Sequence, residues 1–177
     1  MRIAFLTATE GVEEVELNEP WKAVLGAGWT PQLVSTEPGE VQAMRHLDKA
    51  GTYPVDLVLD GRTDDGFDAL VLPGGVANPD ALRMSEAAVG FARGFFASGR
   101  PVAAICHAPW LLVEADVVRG RTLTSWPSLA TDIRNAGGTW VDERVHVCRA
   151  GASALVTSRK PDDLHAFCEA FVTVFGG

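Results

Sequence analysis

The chain has 177 residues, 47% of them hydrophobic, which is enough to bury most of the apolar surface of one domain spanning residues 1–177. Fifteen basic against 23 acidic side chains give a formal charge of -8 and argue against the sequence-independent grip on phosphate that nucleic-acid binding requires. The opening MRIAFLTATEGVEEVE has an apolar core of only about four residues, too short for a secretory signal or a membrane span, so a cytoplasmic protein with no membrane partner is expected.

RIAFLT reads as a first strand. An acidic turn follows, then ELNEPWKAVLGAG, whose Leu17, Trp21, Val24 and Leu25 recur at helical spacing and whose end is marked by Gly26 and Gly28. TPQLVST is a second strand; GEVQAMRHL and YPVDLVLDG are short strands or hairpin pieces with no helix between them. FDALVLPGG is apolar throughout, as a strand buried on both faces should be, and runs straight into Gly74-Gly75. SEAAVGFARGFFASG places Ala88, Phe91, Ala92, Phe95 and Phe96 on one stripe and hands over at Gly99 to the strand PVAAIC. A helix at APWLLVEADVV, the segment GRTLTSW, a helix at SLATDIRNAG, strands within TWVDERVHVC and ALVTS, and a last helix at DDLHAFCEAFVTVF complete the chain.

This alternation predicts an α/β fold: a three-layer sandwich with a mostly parallel central sheet, flavodoxin-like in plan. No Gly-x-Gly-x-x-Gly and no Gly-x4-Gly-Lys-Ser/Thr follows any strand, and no His/Cys/carboxylate cluster has the spacing of a metal site. No cofactor and no metal are expected. The three cysteines, Cys106, Cys148 and Cys168, are odd in number and widely spaced, which suggests neither a disulfide framework nor a zinc or redox pair.

Cys106 differs from the other two in its setting. It ends the strand PVAAIC, where the carboxyl ends of parallel strands converge on a crevice, and a helix is expected to start just after it with Pro109 in the first turn. A thiol facing free amides and the positive end of a helix dipole is expected to ionise below its usual range, and the thiolate is the nucleophile and the form that peroxide attacks. Free cysteines are more often small buried hydrophobes, the reading that suits Cys148 and Cys168. Gly74-Gly75 at the end of another core strand shifts the balance for Cys106, because glycine lets backbone amides approach a reacting oxygen. A carboxyl can be sought in GVEEVEL. Glu16, beside Leu17 on the first helix, can point inward, where burial would keep it protonated and able to donate to a thiolate.

The stretch AAICHAPWLL, with ALVLPGG upstream and VEL near the start, resembles the PfpI-like family of intracellular proteases and general stress proteins. That family lies within the class I glutamine amidotransferase-like superfamily, which also holds the parkinsonism-associated deglycase. The similarity continues through GRTLTSW, DIRNAGG and LVTSRKPDDLHAFCEAF. The resemblance implies that Cys106 is the nucleophile of a nucleophile elbow, that Glu16 contacts its sulfur and that His107 is the neighbouring imidazole. It further implies an oxyanion hole from the amides of Gly75 and His107, and an acid at Asp80 that a partner subunit offers to the histidine. A homo-oligomer, a dimer or a hexamer, with its active site near the interface is implied as well.

Three functions follow: a thiol enzyme acting on small reactive carbonyls or their adducts, of glyoxalase or deglycase type; an intracellular cysteine peptidase; or a non-enzymatic stress protein or chaperone whose Cys106 is oxidised. The first is favoured. A base must come within roughly 2.6–3.2 Å of the thiol, and successive side chains are expected to diverge from a tight turn. His146 and His165 are therefore alternatives to His107, although Glu169 four residues after His165 suggests a helix-surface pair. His46 reads as a surface residue.

Overall fold

A computed structural model describes residues 1–59 and 66–177. The chain runs β1 (Arg2–Thr7), β2 (Glu10–Glu13), α1 (Glu14–Gly26), β3 (Thr30–Ser35), β4 (Glu40–Arg45), β5 (Asp48–Pro54), β6 (Leu57–Val58), β7 (Ala69–Leu72), α2 (Ala77–Arg83) and α3 (Glu86–Ala97). It continues with β8 (Val102–Ile105), α4 (Pro109–Glu114), β9 (Thr122–Leu123), α5 (Ala130–Asn135), β10 (Thr139–Trp140), β11 (Val145–Cys148), β12 (Leu155–Ser158) and α6 (Leu164–Phe175). The expected strand YPVDLVLDG ends in Asp60 and Gly61, which lie outside the described residues. Among the described residues no helix is long and apolar enough to cross a membrane.

Seven strands form the central sheet in the order β11-β12-β8-β7-β1-β3-β6. Every pairing is parallel except that of β11 with β12. Because side chains alternate across a strand, each central strand serves two cores. Ile3, Phe5, Val71, Ala103, Ile105 and Val156 pack with Leu17 and Val24 of α1 and with Phe167, Phe171 and Phe175 of α6. Ala4, Leu6, Leu70, Leu72, Ala104 and Leu155 face the other way, toward Phe91 and Phe95 of α3, Leu111 of α4 and Ile133 of α5. The result is the expected three-layer α/β sandwich, with β7, β8 and β12 buried at every position.

Three local expectations change. The acidic segment after β1 is a strand, because β2 finds β4 as a parallel partner and buries Val12 between polar neighbours. Leu25 is 55% exposed. The buried face of α1 is set by Glu16, Leu17, Pro20 and Val24, and Leu25 stands about 130° round from its centre at 3.6 residues per turn. The helix after Cys106 stops at Glu114, since Asp116 has a left-handed backbone at φ 52. One helix, α2, is absent from the sequence reading.

The α2 to α3 junction is held by Ser85, whose side chain accepts the Ala88 amide at 3.3 Å as an N-cap. Ser85→Ala is expected to cost about 1 kcal/mol, measurable as a lower urea midpoint with an unchanged slope.

Candidate active site

Three segments meet at the carboxyl ends of β1, β7 and β8. β7 ends at Leu72 and passes through Pro73 into Gly74-Gly75; β8 ends at Ile105 and passes directly into Cys106. Cys106 adopts φ 63, a conformation that costs a non-glycine residue on the order of 1 kcal/mol and persists only where its surroundings impose it. Those surroundings are two backbone hydrogen bonds. The Cys106 amide donates to the Ser158 carbonyl at 3.0 Å, and the Cys106 carbonyl accepts the Trp126 amide at 2.8 Å.

The bend reverses one expectation. His107 Nδ1 comes to 3.2 Å from Cys106 Sγ, so the adjacent imidazole does reach the thiol. The left-handed turn folds the two side chains together where an ordinary turn would separate them. The ring is held between two indoles: Trp126 is stacked on it with centroids 5.5 Å apart at 22°, and Trp110 is tilted against it at 5.2 Å. Trp110 is fixed in turn by donating its indole N–H to Asp132 at 2.9 Å. Burial pushes the His107 imidazole down, which favours its neutral, proton-accepting form.

Glu16 is completely buried on α1, as the inward-pointing expectation required. Its Oε2 accepts the Gly74 amide at 3.1 Å, and its carboxyl lies against the Cys106 thiol. Burial is the main cause that pushes Glu16 up to about 8, with the nearby Glu13 charge adding to it. The carboxyl is therefore protonated at neutral pH.

The thiol itself departs from the expectation of a lowered pKa. Burial first, and then the Glu16 charge, push Cys106 well above the usual thiol range. The helix contributes little, because α4 begins only at Pro109 and is six residues long. The amides of His107 and Gly75 point at the sulfur and oppose the rise. A protonated Glu16 also removes its own repulsive charge and becomes a donor, so the two groups titrate as a pair that holds protons in common.

Both glycines are dictated by these contacts. A Cβ on Gly74 would stand 2.7 Å from Cys106 Cβ and would overlap Glu16 Oε2. Gly75 has φ 82, and a Cβ there would overlap the Gly11 carbonyl and lie 2.9 Å from the Glu13 amide. Gly75→Ala is expected to destabilise the fold by roughly 1–3 kcal/mol through backbone strain alone and to push β2 away from the thiol, seen as a lower Tm and as faster alkylation of Cys106.

These groups open onto a cavity of about 670 Å³ that is lined by Cys106, His107, Glu16 and Gly75. Asp80, exposed on α2, lines the same cavity; among the described residues no carboxylate is bonded to the His107 imidazole. His46 is exposed at the tip of the β4–β5 hairpin and borders the cavity, its backbone amide held by the buried Glu13 carboxylate at 2.9 Å. His146 pairs with Glu143 at 2.8 Å and His165 with Glu169 at 3.5 Å; neither lines the cavity. Cys148 is buried at the end of β11, in the core on the side of the sheet that also holds α3, α4 and α5, and Cys168 is half-buried on α6. The sequence reading singled out only Glu16 in GVEEVEL, passing over Glu13, and did not use Trp126. The strand before Trp126 in GRTLTSW, β9, pairs with β10 outside the central sheet, so the rule that sites lie at the ends of the central strands does not reach it.

The family model of the DJ-1/PfpI family matches residues 1–174. The deglycase PH1704 of Pyrococcus horikoshii is 42% identical over 172 residues, covering 97% of this chain and 98% of the relative. General stress protein 18 of Bacillus subtilis is 40% identical over 155 residues, covering 88% and 87%. Among solved structures, a two-domain protein of Anabaena variabilis with DJ-1/ThiJ/PfpI-like and ferritin-like domains superposes with a TM-score of 0.89 at 30% identity. That likeness covers 99% of this chain, which spans about half (48%) of the two-domain protein. With a family match over nearly its whole length and curated relatives of the same extent, the chain belongs to the DJ-1/PfpI family.

Proposed function

We propose that the protein is a stress-protective enzyme that uses Cys106 as a nucleophile on reactive carbonyls or their adducts, a glyoxalase or deglycase. The observation that carries this reading is the convergence of a thiol, an imidazole 3.2 Å away and a protonated buried carboxyl in one cavity. The deglycase and general stress protein among its relatives support it.

With methylglyoxal, His107 accepts the thiol proton at Nδ1 while Sγ attacks the aldehyde carbon. The C–S bond forms, the carbonyl pair moves to oxygen, and the amides of Gly75 and His107 hold that oxygen until it takes a proton. Whichever of His107 and Glu16 gives that oxygen its proton is left as a base and moves the proton from the former aldehyde carbon to its neighbour, leaving a 2-hydroxyacyl thioester. Water cleaves the C–S bond, releases lactate and restores the thiol. One carbon is oxidised as the other is reduced, so no outside oxidant is needed.

Peptide hydrolysis makes a further demand, a charged imidazolium that protonates an amine leaving group. Asp80 belongs to this proposal as the acid that a partner subunit brings to His107 in an oligomer. Without that acid, the imidazolium that must persist until an amine departs has no carboxylate to stabilise it, which favours carbonyl chemistry over proteolysis. The test is turnover of methylglyoxal and of an unstructured peptide under the same conditions. Lactate release without peptide cleavage is expected; peptide cleavage without lactate overturns the assignment.

A further inference from the structure

We infer that the cavity selects, among 2-oxoaldehydes, uncharged ones that carry a bulky apolar or aromatic substituent, and that Trp126 is the residue that determines this choice. The inference rests on the reaction proposed at Cys106 and narrows its substrate class. Size is the first observation. A cavity of about 670 Å³ lies well inside the range of about 300–1,000 Å³ that holds drug-sized molecules, and a three-carbon dicarbonyl fills little of it.

Four large apolar side chains, Met44, Leu47, Val76 and Trp126, share the cavity lining with the reactive groups. Leu47 is 94% exposed, Val76 57% and Trp126 38%, so large apolar groups stand uncovered around a concave site. Clustered exposure of this kind marks a surface that a ligand covers. Trp126 is the wall residue with a fixed orientation. Its amide is bonded to the Cys106 carbonyl at 2.8 Å and its ring is stacked on His107, which leaves the indole beside any carbonyl held at the thiol. An aryl substituent on that carbonyl meets a ring that pays no further ordering cost.

Charge supplies the second restriction. Glu10, Glu13 and Asp80 line the cavity against the cation Lys49 and the imidazole of His46. A 2-oxoaldehyde that carries a carboxylate would bring it into this excess of negative charge, whereas a neutral one meets no such repulsion.

The test compares kcat/KM for phenylglyoxal, methylglyoxal and 4-carboxyphenylglyoxal in the wild type, Trp126→Ala and Trp126→Phe, with mandelate, lactate and 4-carboxymandelate as the products followed. The wild type is expected to prefer phenylglyoxal over methylglyoxal by several-fold to about tenfold, the range of an aromatic pair, and to use 4-carboxyphenylglyoxal at least about tenfold less well than phenylglyoxal. Trp126→Ala slows both aldehydes through the loosened His107, so the ratio is the readout. It is expected to fall to about one in Trp126→Ala and to be retained in Trp126→Phe. A wild type that prefers methylglyoxal or uses 4-carboxyphenylglyoxal as well as phenylglyoxal, or a ratio unchanged in Trp126→Ala, overturns the inference and leaves the proposed reaction standing. If the wild type turns over none of the three, the proposed reaction fails, and acetophenone, which has the ring without the aldehyde, decides the subsite. Saturable binding by ligand-observed NMR that is lost in Trp126→Ala supports it; absence of binding to the wild type overturns it.

Discussion

Cys106→Ser is expected to lower methylglyoxal turnover by at least about 10³-fold while leaving the fold intact. A hydroxyl occupies less space than a thiol and can keep the hydrogen bonds of the site, so unfolding is not the cause of the loss. Serine fails for a chemical reason. The neutral imidazole of His107 can draw a proton from sulfur, but its basicity falls far short of what an alkoxide requires, and Glu16 already holds its own proton. The measurement is single-turnover kinetics beside a thermal melt of each protein. An unchanged melt with activity retained within about tenfold would remove Cys106 from the chemistry. A second reading comes from mild peroxide: mass spectrometry should place added oxygen on Cys106 before Cys168, because the amides of Gly75 and His107 can hold a charged sulfur oxide.

Glu16→Gln carries the second large effect, on stability as a function of pH. Unfolded, Glu16 loses its proton near 4.5; folded, it keeps that proton to about 8. Between those values the native state binds a proton that the unfolded chain has released. The stability tied to it is fully present below 4.5 and is lost as pH rises through 8. The span corresponds to a linkage on the order of 5 kcal/mol. Glutamine has the same shape and does not titrate, so the variant should show a flatter profile of urea midpoint against pH and should exceed the wild type in stability above about 8. Parallel profiles would mean that Glu16 is ionised in the native protein. The same variant separates structure from chemistry: if Glu16 moves the carbon-bound proton, kcat falls by about 10²–10⁴ even where stability rises.

The layers of the fold were legible because the central strands are short, apolar throughout and separated by helices with clear stripes; Phe91, Phe95 and Phe96 alone orient α3. The strand β2 was hidden by Glu10, Glu13 and Glu14, since acidic residues are poor strand formers and the partner that induces the strand, β4, lies about 30 residues further on. The site was legible in part for a related reason. Gly74, Gly75 and Cys106 sit at strand ends that periodicity locates, and the inward face of α1 singles out Glu16. The reach of His107 was not readable, because it depends on the sign of one backbone angle at Cys106. Nor was the direction of the thiol shift, which is decided by enclosure that only the assembled loops create. The short α4 shows how a favourable local signal, a proline in a first helical turn, can be outweighed by burial.

The clamp on Cys106 also bears on the order of events during synthesis. Both groups that hold its bend, the Ser158 carbonyl and the Trp126 amide, come later in the chain than the cysteine itself. A ribosome-bound chain that has exposed residue 106 but not residue 158 carries an ordinary cysteine, unpaired with any fixed imidazole. The pairing of thiol and imidazole is then completed late, with the docking of β12 beside β8.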